Sequence, residues 1–261
     1  MRALAALHRW WGVAFCLLFA MWFASGIVMH FVPFPERHER PAMLATDTSP
    51  AQAELIDHDQ WTVAGDYDAD RPLFRYALND DAGSEIYISP RSGTVVLITT
   101  RNQRLANYFG SIAHWLYPAA LRHHRQIWSA LMWWLALLAT IGAALGVTVG
   151  LLRLGREPAC RGVQRWHQLS GLFFAPFLLA WIFSGLLSMD DGRLFAHGDA
   201  LFRILHKLDF EPLSSHPWLR TGAIVALCLC GLAFSLTGVV LAWRHVRPRR
   251  SGGTSCGTAR S

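Results

Sequence analysis

The sequence predicts an all-α membrane protein: four transmembrane helices arranged as two parallel internal repeats, with a small exported α+β domain inserted between the first and second helices. Three observations predict it. The first is composition: 52% hydrophobic residues, 12 Trp, only 16% charged residues and a mean hydropathy of +0.24, a balance found in membrane rather than soluble chains. The second is self-similarity. At an offset of 159, His8, Gly12, Phe15, Trp22, Ser25 and Gly26 recur as His167, Gly171, Phe174, Trp181, Ser184 and Gly185. At an offset of 92, His114, Leu116, Leu121, His124, Gly146 and Val147 recur as His206, Leu208, Leu213, His216, Gly238 and Val239. The two offsets differ by 67, so the first copy carries about that much extra chain between His30 and His114. The third is charge. Of the 24 Lys and Arg, 11 sit in the N-terminus, the loop from Arg153 to Arg165 and the tail from Arg244, beside a single acid, Glu157. That bias places both termini and the middle loop in the cytoplasm. The pI near 9.4 is therefore a topology signal, and no nucleic-acid partner is expected; the partner it implies is membrane lipid.

In chain order, residues 1–34 form the first transmembrane helix, from about Trp10 to Val32, uncleaved and ended by Pro33 and Pro35. Residues 35–103 turn polar and form the exported domain. A short helix is expected over Ala51–Asp59, followed by strands Leu73–Leu78, Ser84–Ser89 and Thr94–Thr99, with Asn79–Gly83 and Pro90–Gly93 supplying turn chemistry between them. Residues 104–126 are an exported amphipathic segment, helical to Pro118. Residues 127–153 form the second transmembrane helix, 154–165 the cytoplasmic loop, 166–189 the third transmembrane helix with Pro176 inside it, 190–218 an exported loop, 219–243 the fourth transmembrane helix, and 244–261 the cytoplasmic tail. Cys16, Cys228 and Cys230 lie in apolar spans and Cys160 and Cys256 on the cytoplasmic side, so no structural disulfide is expected.

The histidines are the candidate site. Ligand-type residues at membrane helix ends are functional candidates, and a b-type haem needs two axial ligands between packed helices. Parallel repeats related by an axis along the membrane normal bring equivalent residues together. His8 and His167 form such a pair at the cytoplasmic end; His114 and His206, or alternatively His124 and His216, form one at the other. His30 is a reserve ligand whose repeat position is Met189, and His245 an alternative on the cytoplasmic side. Each copy begins His-x-x-x-Gly, which sets Gly12 one turn from His8 and Gly171 one turn from His167, leaving a gap where a flat ring can lie. His8 and His30 are about 33 Å apart along a helix and serve different haems. Ser25-Gly26 and Ser184-Gly185 read as close helix contacts, Trp22 and Trp181 as packing residues, and His38, His58, His123 and His197 as surface residues. No Cys-x-x-Cys-His attachment site exists, so the expected cofactor is non-covalent haem b, two per chain, with His8, His167, His114 and His206 as iron ligands.

Tyr76–Val96, Y-A-L-N-D-D-A-G-S-E-I-Y-I-S-P-R-S-G-T-V-V, resembles the PepSY repeat, with Ser89 and Ser92 at positions where that module usually carries Asp and Thr. The whole layout, through H-R-W-W-G with W-F-A-S-G, W-H-Q-L-S-G with W-I-F-S-G, and L-H-K-L-D-F before the last span, resembles the PepSY-associated transmembrane family of bacterial inner-membrane proteins. The resemblance implies four spanning helices and a PepSY-like domain on the periplasmic or extracellular side. Some family members are haem-containing ferric-siderophore reductases of iron uptake, which implies an oxidoreductase of ferric-chelate reductase type. The chain carries no Gly-rich dinucleotide fingerprint and no flavin domain, so the donor would be a quinol or a separate cytoplasmic reductase. The alternative is a non-redox, membrane-anchored PepSY protein that inhibits or assembles a partner. A transporter is disfavoured because the spans hold no internal acid or Lys.

Overall fold

The structure is a computed structural model that describes residues 2–41, 50–154, 162–189 and 198–246. The expectations for His197, Cys160, Cys256, much of the cytoplasmic loop and most of the tail lie outside the described residues. Among the described residues the chain is mostly helical, with four helices long and apolar enough to cross a membrane and a small antiparallel sheet. It divides into two compact units, Met1–Ala24 with Leu131–Ser261, and Ser25–Ala130.

The spanning helices are α1 (Arg2–Phe31), α5 (Arg125–Arg153), α6 (Val163–Ser188) and α8 (Pro217–Val246), of 30, 29, 26 and 30 residues. At about 1.5 Å per residue each exceeds the roughly 30 Å apolar core of a bilayer. α1 begins at Arg2, ahead of the expected Trp10, so His8 lies inside the helix rather than before it. Within the helical unit, Gly231 lets the Phe23 ring approach to within 2.6 Å of where a Cβ would stand, and Phe23 in turn packs on Phe174 and Trp181.

The sheet has five strands in the order β1-β5-β4-β3-β2, all antiparallel: β1 (Arg40–Pro41), β2 (Pro50–Ile56), β3 (Leu73–Leu78), β4 (Glu85–Ile88) and β5 (Thr94–Thr99). The three expected strands are present. The helix expected over Ala51–Asp59 is not: Pro50–Ile56 is strand β2, paired with β3 through Ala53–Tyr76 and Leu55–Phe74. Strand pairing along the open edge of β3 overrides the helix propensity of A-Q-A-E-L, and Pro50 fits an edge strand, where no ladder donor is required of it. Leu73, Tyr87, Val96 and Leu97 are fully buried and form the sheet's core with Ile56, Trp61, Tyr67 and Ile112.

The amphipathic segment is two helices rather than one. α2 (Arg101–Phe109) starts at Thr100, whose side chain accepts from Gln103 N, and it stops at Gly110. There a side chain would meet Val28 at 3.1 Å, and the chain turns into α3 (Ser111–His114). A short α4 (Ala119–Arg122) follows. The loop before the last span contains a helix that the sequence reading lacked, α7 (Gly198–Lys207).

Candidate functional site

Two helical histidines meet within the helical unit. His8 on α1 and His167 on α6 have ring centroids 6.5 Å apart, with planes at 29°. The gap is wider than ring contact. Each ring leans on a glycine of a neighbouring helix. A Cβ on Gly146 of α5 would stand 2.7 Å from His8 Cε1, and one on Gly238 of α8 would stand 3.6 Å from His167 Cε1. The sequence reading aligned these two glycines without assigning them a role. Gly12 and Gly171 differ from each other. A side chain at Gly12 would meet nothing within 4 Å, whereas at Gly171 it would meet the Phe234 ring at 2.8 Å. Phe234 also stacks on His167 at 4.8 Å and 11°.

The two rings line a cavity of about 1090 Å³ that includes Gly12, Gly142, Gly146, Gly171 and Gly238, slightly above the usual range of about 300–1,000 Å³ for ligand pockets. Among the described residues its lining holds Arg9, Arg153 and Arg244 and no Asp or Glu. His245 also lines it, with its ring against Trp10. The site therefore favours an anionic occupant. Among the described residues no three His, Cys, Asp or Glu converge to hold a metal ion. Two histidines suit an ion that brings its remaining ligands with it, as a porphyrin does. His8 Nδ1 is buried with no hydrogen-bond partner among the described residues. The cavity, the basic lining and the paired rings fit a haem, with His8 and His167 as the residues that would hold it.

Hydroxyl groups orient the other candidate histidines. His167 Nδ1 lies 2.8 Å from Thr237 Oγ1, and that hydroxyl donates to Phe234 O at 2.6 Å. A threonine hydroxyl has one hydrogen, so the oxygen accepts from His167 Nδ1–H and the lone pair sits on Nε2. On α7, His206 Nδ1 lies 3.1 Å from Ser184 Oγ and 3.1 Å from the Trp181 carbonyl. Ser184 donates to that same carbonyl at 3.0 Å. A carbonyl only accepts, so Nδ1 carries the hydrogen here too. Burial holds the His206 pKa down at about 4, so its ring is neutral at pH 7. In the other unit, His114 Nδ1 lies 3.0 Å from Ser25 Oγ. Ser25 and Ser184, read from sequence as helix contacts, are almost wholly buried and hydrogen-bond histidines. Two residues beyond each histidine the backbone turns left-handed, at Leu116 (φ 46°) and Leu208 (φ 49°). For a bulky residue this is a true outlier, costing about 1–3 kcal/mol. It ends the helical turn just after the histidine.

The remaining candidates sit differently. His124 and His216 are exposed; His216 Nδ1 bonds Pro212 O, and the His124 ring contacts His123. His30 is half-buried near the end of α1 with its ring against Phe31. His58 is paired with Asp57 and sits edge-on to His123 at 4.7 Å. Trp181 is buried and packs against Phe23.

The fold and this geometry define a multi-pass membrane protein with paired histidines around an internal cavity. A family model described as the PepSY-associated TM region matches residues 5–218, and the chain belongs to that family. No curated protein and no solved structure matches it.

Proposed function

We propose that the chain is a transmembrane one-electron carrier that holds two b-type haems and reduces a ferric chelate, a siderophore complex by class. The observation that carries the reading is the His8–His167 pair at 6.5 Å on a cavity of about 1090 Å³ with Arg9, Arg153 and Arg244 in its lining. Bound haem supplies reversible one-electron iron chemistry. His8 and His167 would hold it, and the glycines of the lining leave room for a flat ring. Arg9, Arg153 and Arg244 offset the charge of its propionates. His114 and His206, each within its own unit, have Nδ1 on a serine hydroxyl, the outer-sphere partner that orients a metal-binding imidazole.

The parallel internal repeat belongs to this proposal. It is supported by the matched histidine–glycine contacts at Gly146 and Gly238, the matched histidine–serine bonds, and the left-handed leucines two residues after His114 and His206. The orientation also belongs to it: a bacterial inner membrane, both termini cytoplasmic, and the PepSY-like sheet region on the exported face, supported by the arginine distribution. Reporter fusions after Arg101 and after Arg161 are expected on opposite sides. The donor is a quinol or a separate cytoplasmic reductase.

The test begins with a pyridine haemochrome assay on detergent-purified protein, expected to give two haems per chain. His8→Ala and His167→Ala should each lose the same single haem. The anaerobically reduced protein is then mixed with a ferric siderophore, and haem reoxidation is followed together with capture of ferrous iron by a chelator. Absence of haem after expression with ample haem supply would instead favour a non-redox PepSY protein. Reoxidation by oxygen but never by ferric chelates would leave a carrier of some other pathway.

A further inference from the structure

His8 and His167 receive unequal support, and the inequality traces to one position on each partner helix. Thr237 immediately precedes Gly238, the glycine against which His167 leans, and its hydroxyl accepts from His167 Nδ1–H. The residue immediately preceding Gly146, against which His8 leans, is Leu145, 92 residues before Thr237. Leucine has no hydroxyl, and His8 Nδ1 is the buried ring nitrogen left without a partner among the described residues. The glycine contact is thus present on both sides and the hydroxyl on one.

We infer that Thr237 is a positioning residue that presets His167 as the fixed ligand of this site, and that Leu145 leaves His8 as the exchangeable one. The inference rests on the haem reading above. Thr237 fixes both the tautomer and the angle of the His167 ring, so Nε2 offers its lone pair before any ligand arrives. An imidazole with Nδ1–H donated to an acceptor is also the more basic ligand. His8 has neither constraint: its ring turns until something in the cavity engages it.

Two readouts on the full-length protein in detergent separate this inference from the haem reading. In haem-free protein labelled with ¹⁵N at the imidazoles, the signal removed by His167→Ala should report the Nδ1–H tautomer. Thr237→Val should shift it toward a mixture, and Thr237→Ser should retain it. In loaded protein, haem transfer to an excess of a haem-scavenging apoprotein should be about 10–100-fold faster in Thr237→Val, the usual effect of losing such a partner. Transfer should be restored by Thr237→Ser and slowed by Leu145→Thr, which supplies His8 with the missing acceptor and does not disturb the Thr237 side. An unchanged tautomer signal in Thr237→Val overturns the positioning role. A changed tautomer with unchanged transfer rates in both Thr237→Val and Leu145→Thr overturns the assignment of fixed and exchangeable ligands. Failure to load haem with the tautomer shift intact overturns the haem reading and leaves the role of Thr237 standing.

Discussion

The network beside the sheet and the histidine pair of the helical unit treat polar atoms in opposite ways. Beside the sheet, Tyr87 is fully buried, and its hydroxyl lies 2.7 Å from Asp59 and 3.0 Å from Glu85. Asp59 also accepts from the Trp61 and Thr62 amides and from the Thr62 hydroxyl. Leu73, Val96 and Leu97 share the core with Tyr87 and are each 0% exposed. The helical unit turns many large apolar side chains outward, with Phe173 79%, Trp166 72% and Leu17 67% exposed, and keeps Ser184, Ser235 and the His8–His167 pair within. The apolar exterior suits lipid. Its polar interior is incomplete: His8 Nδ1 lacks a partner, and leaving such a group unsatisfied costs about 1–3 kcal/mol. Asn107, Ser111 and Arg122 in the sheet's unit also keep a buried polar atom without a partner among the described residues, so it is the network around Tyr87 alone that folding finishes. The helical unit is left with a group that a bound ligand would complete.

The comparison breaks if damage to the sheet empties the cavity. Leu97→Ala removes a side chain with no exposed surface and should destabilise the sheet unit by about 2–5 kcal/mol. Limited proteolysis of the full chain in detergent should then cut within residues 50–100 at lower temperature. Haem content at 4 °C should match the wild type, and a parallel fall in haem would mean the two units do not stand independently.

Two glycine variants sharpen it, because one faces a ring and the other faces space. Gly146→Ala puts a methyl 2.7 Å from His8 Cε1. Overpacking of this kind costs about 1–3 kcal/mol and should lower both the melting temperature and haem retention. Gly12→Ala meets nothing within 4 Å, and the better helix former should stabilise the haem-free protein by up to about 1 kcal/mol. If a flat ring lies over that gap, the same variant binds haem less tightly. Stability and retention should therefore move together at Gly146 and apart at Gly12. Movement together at both would mean that Gly12 faces no ligand.

How much of this was legible in the sequence depends on how local the cause is. The strand bounds Leu73–Leu78 and Thr94–Thr99 emerge as read, because Gly83 and Gly93 carry positive φ in the turns that separate the strands. The four spans are legible for the same reason: each is a single run of apolar residues. Strand β2 was not, since A-Q-A-E-L suits a helix and only the edge of β3 makes it a strand. The partners of the histidines were hidden more deeply. Ser25 lies 89 residues from His114, Ser184 22 from His206 and Thr237 70 from His167. No spacing along one helix links such pairs. The offset of 92 already set Gly146 against Gly238 and Leu116 against Leu208, yet a glycine that receives an imidazole from another helix is not distinguishable in sequence from one that merely packs.

The smallest expected effect separates the two regions by acid. In the turn between β3 and β4, the Asp80 carboxylate accepts from Ser84 N at 2.7 Å, and Gly83 N bonds Asp80 O at 3.0 Å. The Ser84 amide holds the Asp80 carboxyl below its ordinary value of 3.8. A carboxyl whose pKa is lower folded than unfolded stabilises the fold at pH above that ordinary value. The contribution is lost as pH falls through the depressed value. Hydrogen exchange at Ser84, corrected for intrinsic rate, should therefore quicken modestly between pH 5 and pH 3. Asp80→Asn keeps an acceptor oxygen and removes the titration, so its exchange should be flat over the same window. Helix α5 contains no Asp, Glu or His, so its own amides lose no such bond to acid and serve as the internal reference. Equal acceleration in α5 and at Ser84 would show a global response to acid and remove Asp80 as its cause. Acceleration at Ser84 alone, abolished in Asp80→Asn, would place the acid sensitivity in the self-paired charges of the sheet unit.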